Sequence, residues 1–431
     1  MVVSGDSSLL RKVFGPRTSP PSTQDVVRTA LWPIAIMSII HRSYVLTSNG
    51  YITDDWAPVY WAVRRFRDHQ PVYTDVFTEV DPHYLYPPGG TLLMAPFGYF
   101  DSIYAARNWF ILLNTVAIIA ACFFLVRLFK FSMRSPALPA LLAAAFVTES
   151  VTNTLVFTNI NGCILLCEVL FLLWLLDGRA SREWLSGIAI GLSLTVKPVL
   201  AVLLLLPLLN RQWRVLVAAA AVPLLFNAVA WQLVVDRGSF IRRTIPYLLS
   251  TRDYFNSSVL GNGVYYGLPM WLITALRLLF VVLAVASLWL LYRYYHQRDQ
   301  FFWALTSSGV LLITSWLVLS LAQGYYSMML FPFLMTVVLP NSVLRNWPAW
   351  LATYGFLTLD RWLMWRWPTT GRFLEYMKIT YGWSLMLIVV FCVLYYRYLD
   401  AKADGRLAAD PDAGIDPAWM TPRRVPASVG S

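Results

Sequence analysis

Two adjacent carboxylates, Asp54 and Asp55, stand in the segment Asn49-Gly50-Tyr51-Ile52-Thr53-Asp54-Asp55-Trp56, directly after an apolar run. A carboxylate held there can act as a general base, taking the proton from an attacking hydroxyl in one displacement that inverts the carbon under attack. In extended chain, successive side chains point to opposite faces, so only one of the pair would face a given site. The plainer reading is a solvated turn, or a helix N-cap by either acid. Cations suited to a phosphate lie further along. Lys197 ends the apolar run Leu192-Ser193-Leu194-Thr195-Val196-Lys197-Pro198, and another apolar run follows at once. An ionisable side chain in or beside a span is a functional candidate, and an ammonium aimed into a cavity meets a phosphate as a point charge; the alternative is snorkelling to the interface. Arg237, Arg242, Arg243 and Arg252 crowd a second loop against only Asp236 and Asp253, which points to an anion.

Hydrogen-bonding and stacking groups accompany these charges. Arg252-Asp253-Tyr254-Phe255-Asn256-Ser257-Ser258, then Gly261-Asn262-Gly263, mixes cations, rings and amides as carbohydrate sites do. Thr152-Asn153-Thr154, Thr158-Asn159-Ile160-Asn161-Gly162 and Gln323-Gly324-Tyr325-Tyr326-Ser327 are polar clusters at the ends of apolar runs. Asp81-Pro82-His83-Tyr84-Leu85-Tyr86-Pro87-Pro88-Gly89-Gly90 predicts a rigid turn, in which His83 can orient an acid or bind a hydroxyl. Tyr60 to Arg67, with Arg64, Arg65 and Arg67, is an amphipathic stretch able to lie flat on a membrane face. Glu149 and Glu168 fall within apolar runs and receive no role. Cys122, Cys163, Cys167 and Cys392 also lie in apolar runs and read as small core residues.

The elements that must position these groups are membrane spans. Of 431 residues, 58% are hydrophobic and only 13% charged, against about 25% charged in soluble domains. Net charge is +11; the Lys and Arg sit between apolar segments, so topology explains them better than nucleic acid does. Spans of roughly 20 residues are expected near 30–47, 105–127, 136–152, 160–176, 184–197, 199–212, 213–234, 270–293, 301–321, 326–343, 347–365 and 379–397, with 91–100 a short piece that re-enters or spans. The expected architecture is an all-α polytopic membrane protein with about twelve such segments. Residues 1–29 read as a cytoplasmic basic tail, 30–397 as the transmembrane domain and 398–431 as a disordered cytoplasmic tail. The short basic loops put both termini inside, and the long loops 48–104 and 235–269 outside.

Taken together, Thr53-Asp54-Asp55, Tyr84-Leu85-Tyr86-Pro87-Pro88-Gly89-Gly90, Asn159-Ile160-Asn161-Gly162, Lys197-Pro198 and Arg252-Asp253-Tyr254-Phe255-Asn256-Ser257-Ser258 resemble the GT-C glycosyltransferases that use polyprenyl-phosphate sugars, and among them those that transfer arabinofuranose. The resemblance runs over about residues 20–425. It implies a GT-C fold with a catalytic first external loop at a plasma membrane and decaprenyl-phosphate arabinose as donor. It also implies the arabinan of arabinogalactan and lipoarabinomannan as acceptor, branched through α-(1→3) linkages. The catalytic acid maps to Asp55 or Asp54, with Asp55 preferred. Lys197, Arg242, Arg243 and Arg252 are the expected donor-phosphate contacts, an inference from charge. His83, Tyr84, Asn159, Asn161, Asp253, Tyr254, Asn256, Gln323 and Tyr325 are the expected sugar and acceptor contacts. No metal or cofactor is expected, since cations can meet a phosphate leaving group and the acids form no obvious ligand set. Two other readings stand beside this one: a mannosyltransferase fed by polyprenyl-phosphate mannose, and a lipid-linked sugar transporter or flippase, which would favour repeated halves and polar groups at mid-membrane.

Overall fold

Backbone surrounded by hydrocarbon must satisfy its own hydrogen bonds, and helices do so within each segment. A computed structural model describes residues 22–50, 55–78, 82–405 and 407, and helices carry its architecture. Asp54 and most of both tails lie outside the described residues. Helix α1 (Thr23–Ile40) starts ahead of the expected position 30 because Ser22 caps it, its hydroxyl accepting from the Asp25 amide. It runs through a π-turn at His41–Val45 to Ser48. Helix α2 (Trp56–Arg67) buries Trp56, Val59, Tyr60, Ala62 and Val63. Its arginines donate to the carbonyls of Phe100, Val72 and Gly98, so it is pinned to neighbouring loops. Helix α3 (Pro88–Met94) and a 3₁₀ turn, Ala95–Tyr99, form the 91–100 piece; at 1.5 Å per residue it is too short to cross ~30 Å of hydrocarbon.

Helix α4 (Ile103–Leu128) is followed by α5 (Ala137–Phe146) and α6 (Glu149–Val156), which meet at a 63° bend. The single span expected at 136–152 is therefore broken, because Thr148 caps a new helix by accepting from the Val151 amide. Helices α7 (Asn161–Leu175) and α8 (Ala180–Val196) form a hairpin closed by Ser186 Oγ donating to the Phe171 carbonyl at 2.8 Å. Then come α9 (Trp213–Leu233), the short α10 (Val259–Tyr265), α11 (Met270–Tyr295), α12 (Gln300–Val318), α13 (Trp347–Leu357) and α14 (Pro368–Ala403). The segments expected at 199–212 and 326–343 are chains of 3₁₀ turns and short helices, including Pro198–Leu204 and Gly324–Leu330. Pro198, Pro207 and Pro332 interrupt them by removing amide donors. Helix α13 stops at Leu357, short of the expected 365, and α14 continues past Tyr398 to Ala403, so the tail begins later than expected.

Among the described residues five helices are long and apolar enough to cross a membrane: α4, α9, α11, α12 and α14, or six if α5 and α6 count as one bent span. The chain is thus an all-helical, multi-pass membrane protein. Only 22% of the most apolar window is buried in α9 and in α11, against 78% in α12; α12 is central, and the other two face lipid. Small residues let the helices approach closely. A Cβ on Gly187 of α8 would stand 2.4 Å from the Val215 carbonyl oxygen of α9, and one on Gly382 of α14 would stand 2.8 Å from the Ala352 oxygen of α13.

Candidate active site

Asp55 occupies the N-cap position of α2 and makes no capping bond there. Its Oδ2 instead accepts from Asn159 Nδ2 at 2.5 Å and from the Tyr325 hydroxyl at 3.4 Å. The Asn159 amide continues the chain of contacts: its Oδ1 accepts from Lys197 Nζ at 2.7 Å. A carboxylate on one side and an ammonium on the other leave only one orientation of that amide. Asn161 Oδ1 accepts a second, longer bond from Lys197 at 3.4 Å. The ammonium also lies over three rings, Tyr86 and Tyr325 at 5.7 Å and Tyr326 at 5.9 Å. Aromatic faces attract a cation without neutralising it.

Local backbone explains why these groups meet. Lys197 is the C-cap of α8 with extended dihedrals, the conformation favoured before proline, and the turn aims its side chain back along the α7 start. Asn159 follows Thr158, which is held at φ 55°. A β-branched residue is strained there, and such strain gathers at functional sites. Asn161 then opens α7. The chain leading into α3 supplies Tyr86, and the α3 Gly89 amide donates to Asn227 Oδ1 of α9 at 2.9 Å. The buried Arg107 of α4 donates to the Thr47 and Val156 carbonyls, both at 2.9 Å, tying together the chain segments that lead towards Asp55 and Asn159.

The second loop supplies a wall. Arg252 is close enough for its charge to act on Lys197, Tyr325 and Tyr326, and its guanidinium lies 5.9 Å from the Tyr247 ring centroid. Tyr247 stacks on Phe77 at 4.3 Å, and His83 sets its edge against both. His83 Nδ1 lies 4.0 Å from Asp75, whose carboxylate also accepts from the Tyr84 amide and faces Arg65 at 3.8 Å. Partial burial draws the Arg65 guanidinium below its ordinary pKa, opposed by the Asp75 charge. Partial burial likewise pushes the Tyr254 hydroxyl up, with the neighbouring Tyr247 adding to the shift.

The structure therefore gathers Asp55, Asn159, Asn161, Lys197, Tyr325 and Arg252, with His83 on the adjoining wall. Other expected contacts are engaged elsewhere. Asn256 accepts from the Ser258 and Ala322 amides and donates to the Arg252 and Ser320 carbonyls, so its amide braces the loop. Tyr84 is buried and bonded to Thr91 at 2.8 Å. Arg243 clamps the Tyr73 and Asp75 carbonyls, and Arg242 pairs with Asp236 on the exposed surface. Asp253 is exposed, Tyr254 half-buried, and Gln323 half-buried two residues before Tyr325. Sequence reasoning missed the ring cage of Tyr86 and Tyr326, the Phe77–Tyr247 stack and Arg107. The signal for Arg107 was an arginine inside an apolar span.

Residues 84–320 match the sequence model described as glycosyltransferase family 87. Over 431 residues the chain is 65% identical to a protein of Mycolicibacterium smegmatis (strain ATCC 700084 / mc(2)155), covering 100% of this chain and 99% of that one. It is 66% identical over 411 residues to a protein of Mycobacterium tuberculosis (strain ATCC 25618 / H37Rv), covering 95% and 94% respectively. A relative from Corynebacterium glutamicum is 43% identical over 375 residues, covering 87% and 89%. Each of the three is called alpha-(1->3)-arabinofuranosyltransferase.

Proposed function

We propose, from the premise that the chain belongs to glycosyltransferase family 87, that the Asp55–Asn159–Lys197 cluster is the centre at which this membrane enzyme transfers arabinofuranose. The chain is an arabinofuranosyltransferase, as its relatives' names indicate; those names favour arabinose over mannose. The donor we assign is decaprenyl-phosphate arabinose, entering sideways from the outer leaflet of the plasma membrane. The acceptor is arabinan, branched at a C3 hydroxyl, with the first loop facing outwards and the fold of GT-C type.

On this reading the acceptor hydroxyl oxygen attacks the anomeric carbon, the bond from that carbon to the phosphate oxygen breaks, and its electron pair leaves with the phosphate. The hydroxyl proton passes to Asp55. The two bonds that Asp55 accepts hold it in place. Lys197 spends two of its three N–H donors on Asn159 and Asn161, leaving the third for a phosphate oxygen, with Arg252 as the second cation. Charge stabilisation of this kind is usually the largest catalytic contribution.

The observation that carries the proposal is that Asp55, at a helix start, makes no capping bond and instead accepts from an asparagine that also holds the half-buried Lys197. With lipid-phosphate arabinose and a linear arabinan acceptor, Asp55→Asn is expected to lose transfer by about 10²–10⁴-fold, with linkage analysis of the wild-type product giving an α-(1→3) branch. Wild-type rates in Asp55→Asn would refute the assignment.

A further inference from the structure

A buried ion cluster outside the reacting groups links the two elements that deliver hydrogen bonds to Asp55. Lys378 of α14 has a side chain only 3% exposed. It donates to Glu375 Oε1 and to the Asp360 carbonyl, both at 3.0 Å, and pairs with Glu149 Oε2 at 3.1 Å. Two of its N–H groups thus meet acceptors, and its charge faces Glu149 as an ion pair. Glu149 is the first residue of α6, and one turn on Asn153 donates to its other oxygen at 3.4 Å. Helix α6 ends at Val156, and the strained Thr158 then leads to Asn159. This is the first arm.

The second arm starts one residue past the lysine. Ile379 packs against Gly324 so closely that a Cβ on the glycine would stand 2.4 Å from its Cδ1. Thr380 Oγ1 donates to the Ser257 carbonyl at 2.7 Å, and the Ser257 amide donates to the Ala322 carbonyl at 2.7 Å. Helix α14 thereby fixes the strip 322–324 that runs into Tyr325. Asn159 and Tyr325 are the two donors to Asp55, and Lys378 stands where their supports meet.

We infer that Lys378, through Glu149, is a positioning residue that sets α6 against α14 and so fixes the two donors on Asp55. Without the ammonium, the half-buried carboxylates Glu149 and Glu375 would lose the cation they share, leaving uncompensated charge where α6 meets α14. The inference rests on the reading of Asp55 as the base.

The test compares purified full-length Lys378→Met, Lys378→Arg, Glu149→Gln and Asp55→Asn with wild type in lipid nanodiscs, using lipid-phosphate arabinose and arabinan. Rates are normalised to monodisperse protein. Misplacing a reacting group by about 1 Å costs up to about a hundredfold, so Lys378→Met should lower kcat about tenfold or more with donor KM within about twofold, while Lys378→Arg returns to within about threefold of wild type. Glu149→Gln, which keeps its shape and one acceptor, should fall between them. Wild-type kcat in folded Lys378→Met, a loss confined to donor KM, or a deficit explained wholly by lost folded protein with Glu149→Gln unchanged would each overturn the inference. An active Asp55→Asn would overturn the base reading and this inference together. An inactive Asp55→Asn beside a wild-type Lys378→Met would overturn the inference alone.

Discussion

Asn159 is the residue on which the site turns, because one amide serves both charges. Replacing it with alanine removes the bond to Asp55 and the bond from Lys197 at once. A hydrogen bond to a charged group contributes about 1.5–3 kcal/mol, so Asn159→Ala should reduce transfer roughly ten- to a hundredfold. Assay of the purified variant with a fixed acceptor would show it, and unchanged kcat/KM would contradict the bridging role. Asp55, Lys197 and Tyr325 were legible in the sequence as residue types, because each polar group stands at the end of an apolar run. The bonding partners of Asn256 and Tyr84 were not. Both resemble ligand contacts by composition, but Asn256 gives its amide to four backbone groups and Tyr84 its hydroxyl to Thr91. Such bonds join residues far apart in the chain, and no local pattern announces them.

At the scale of elements, hydropathy identified where the chain is apolar more reliably than where it is helical. The runs at 199–212 and 326–343 are as greasy as true spans, yet prolines and short 3₁₀ turns fold them compactly beside the site. The bend between α5 and α6 was likewise hidden, since Thr148 reads as an ordinary polar residue until its cap is seen. These departures create the cluster: Lys197 and Tyr325 both lie where a regular helix fails to continue. The α8–α9 contact is the rigid counterpart. Gly187→Leu would drive a side chain into the Val215 carbonyl, and overpacking of this kind costs about 1–3 kcal/mol. A lowered midpoint of thermal unfolding in detergent, followed by tryptophan fluorescence, is the expected result; an unchanged midpoint would mean that the helices separate freely there.

For the whole molecule, the question is which side of the membrane the cluster faces. From the charge distribution between the loops we expect Arg252 and its neighbours outside and the 293–300 turn inside. Leu249 is 76% exposed, three residues before Arg252, and Gln297 is exposed in the other turn. In intact cells a membrane-impermeant maleimide should label Leu249→Cys and spare Gln297→Cys until the membrane is permeabilised. The reverse pattern would invert the orientation. The membrane-embedded nature of the chain was legible in composition, because so low a charged fraction cannot clothe a water-facing surface, and its helices in the apolar runs of about 20 residues. The division between central α12 and lipid-facing α9 and α11 was not, since both kinds of helix are apolar all round.

The cage of rings around Lys197 has a consequence for turnover. On the proposed mechanism the tyrosine faces leave the Lys197 charge uncancelled, so a pocket of one carboxylate, Asp55, and two cations, Lys197 and Arg252, has one surplus positive charge, the complement of a singly charged phosphodiester. On the same mechanism the proton delivered to Asp55 raises that surplus to two, and the departing phosphate monoester, freshly severed from its sugar, bears about one and a half to two negative charges. Reactant and product would thus each meet a pocket of opposite and nearly matching charge. On that mechanism the spent carrier would be gripped harder than the loaded one, until the proton on Asp55 moves on and the surplus falls back to one.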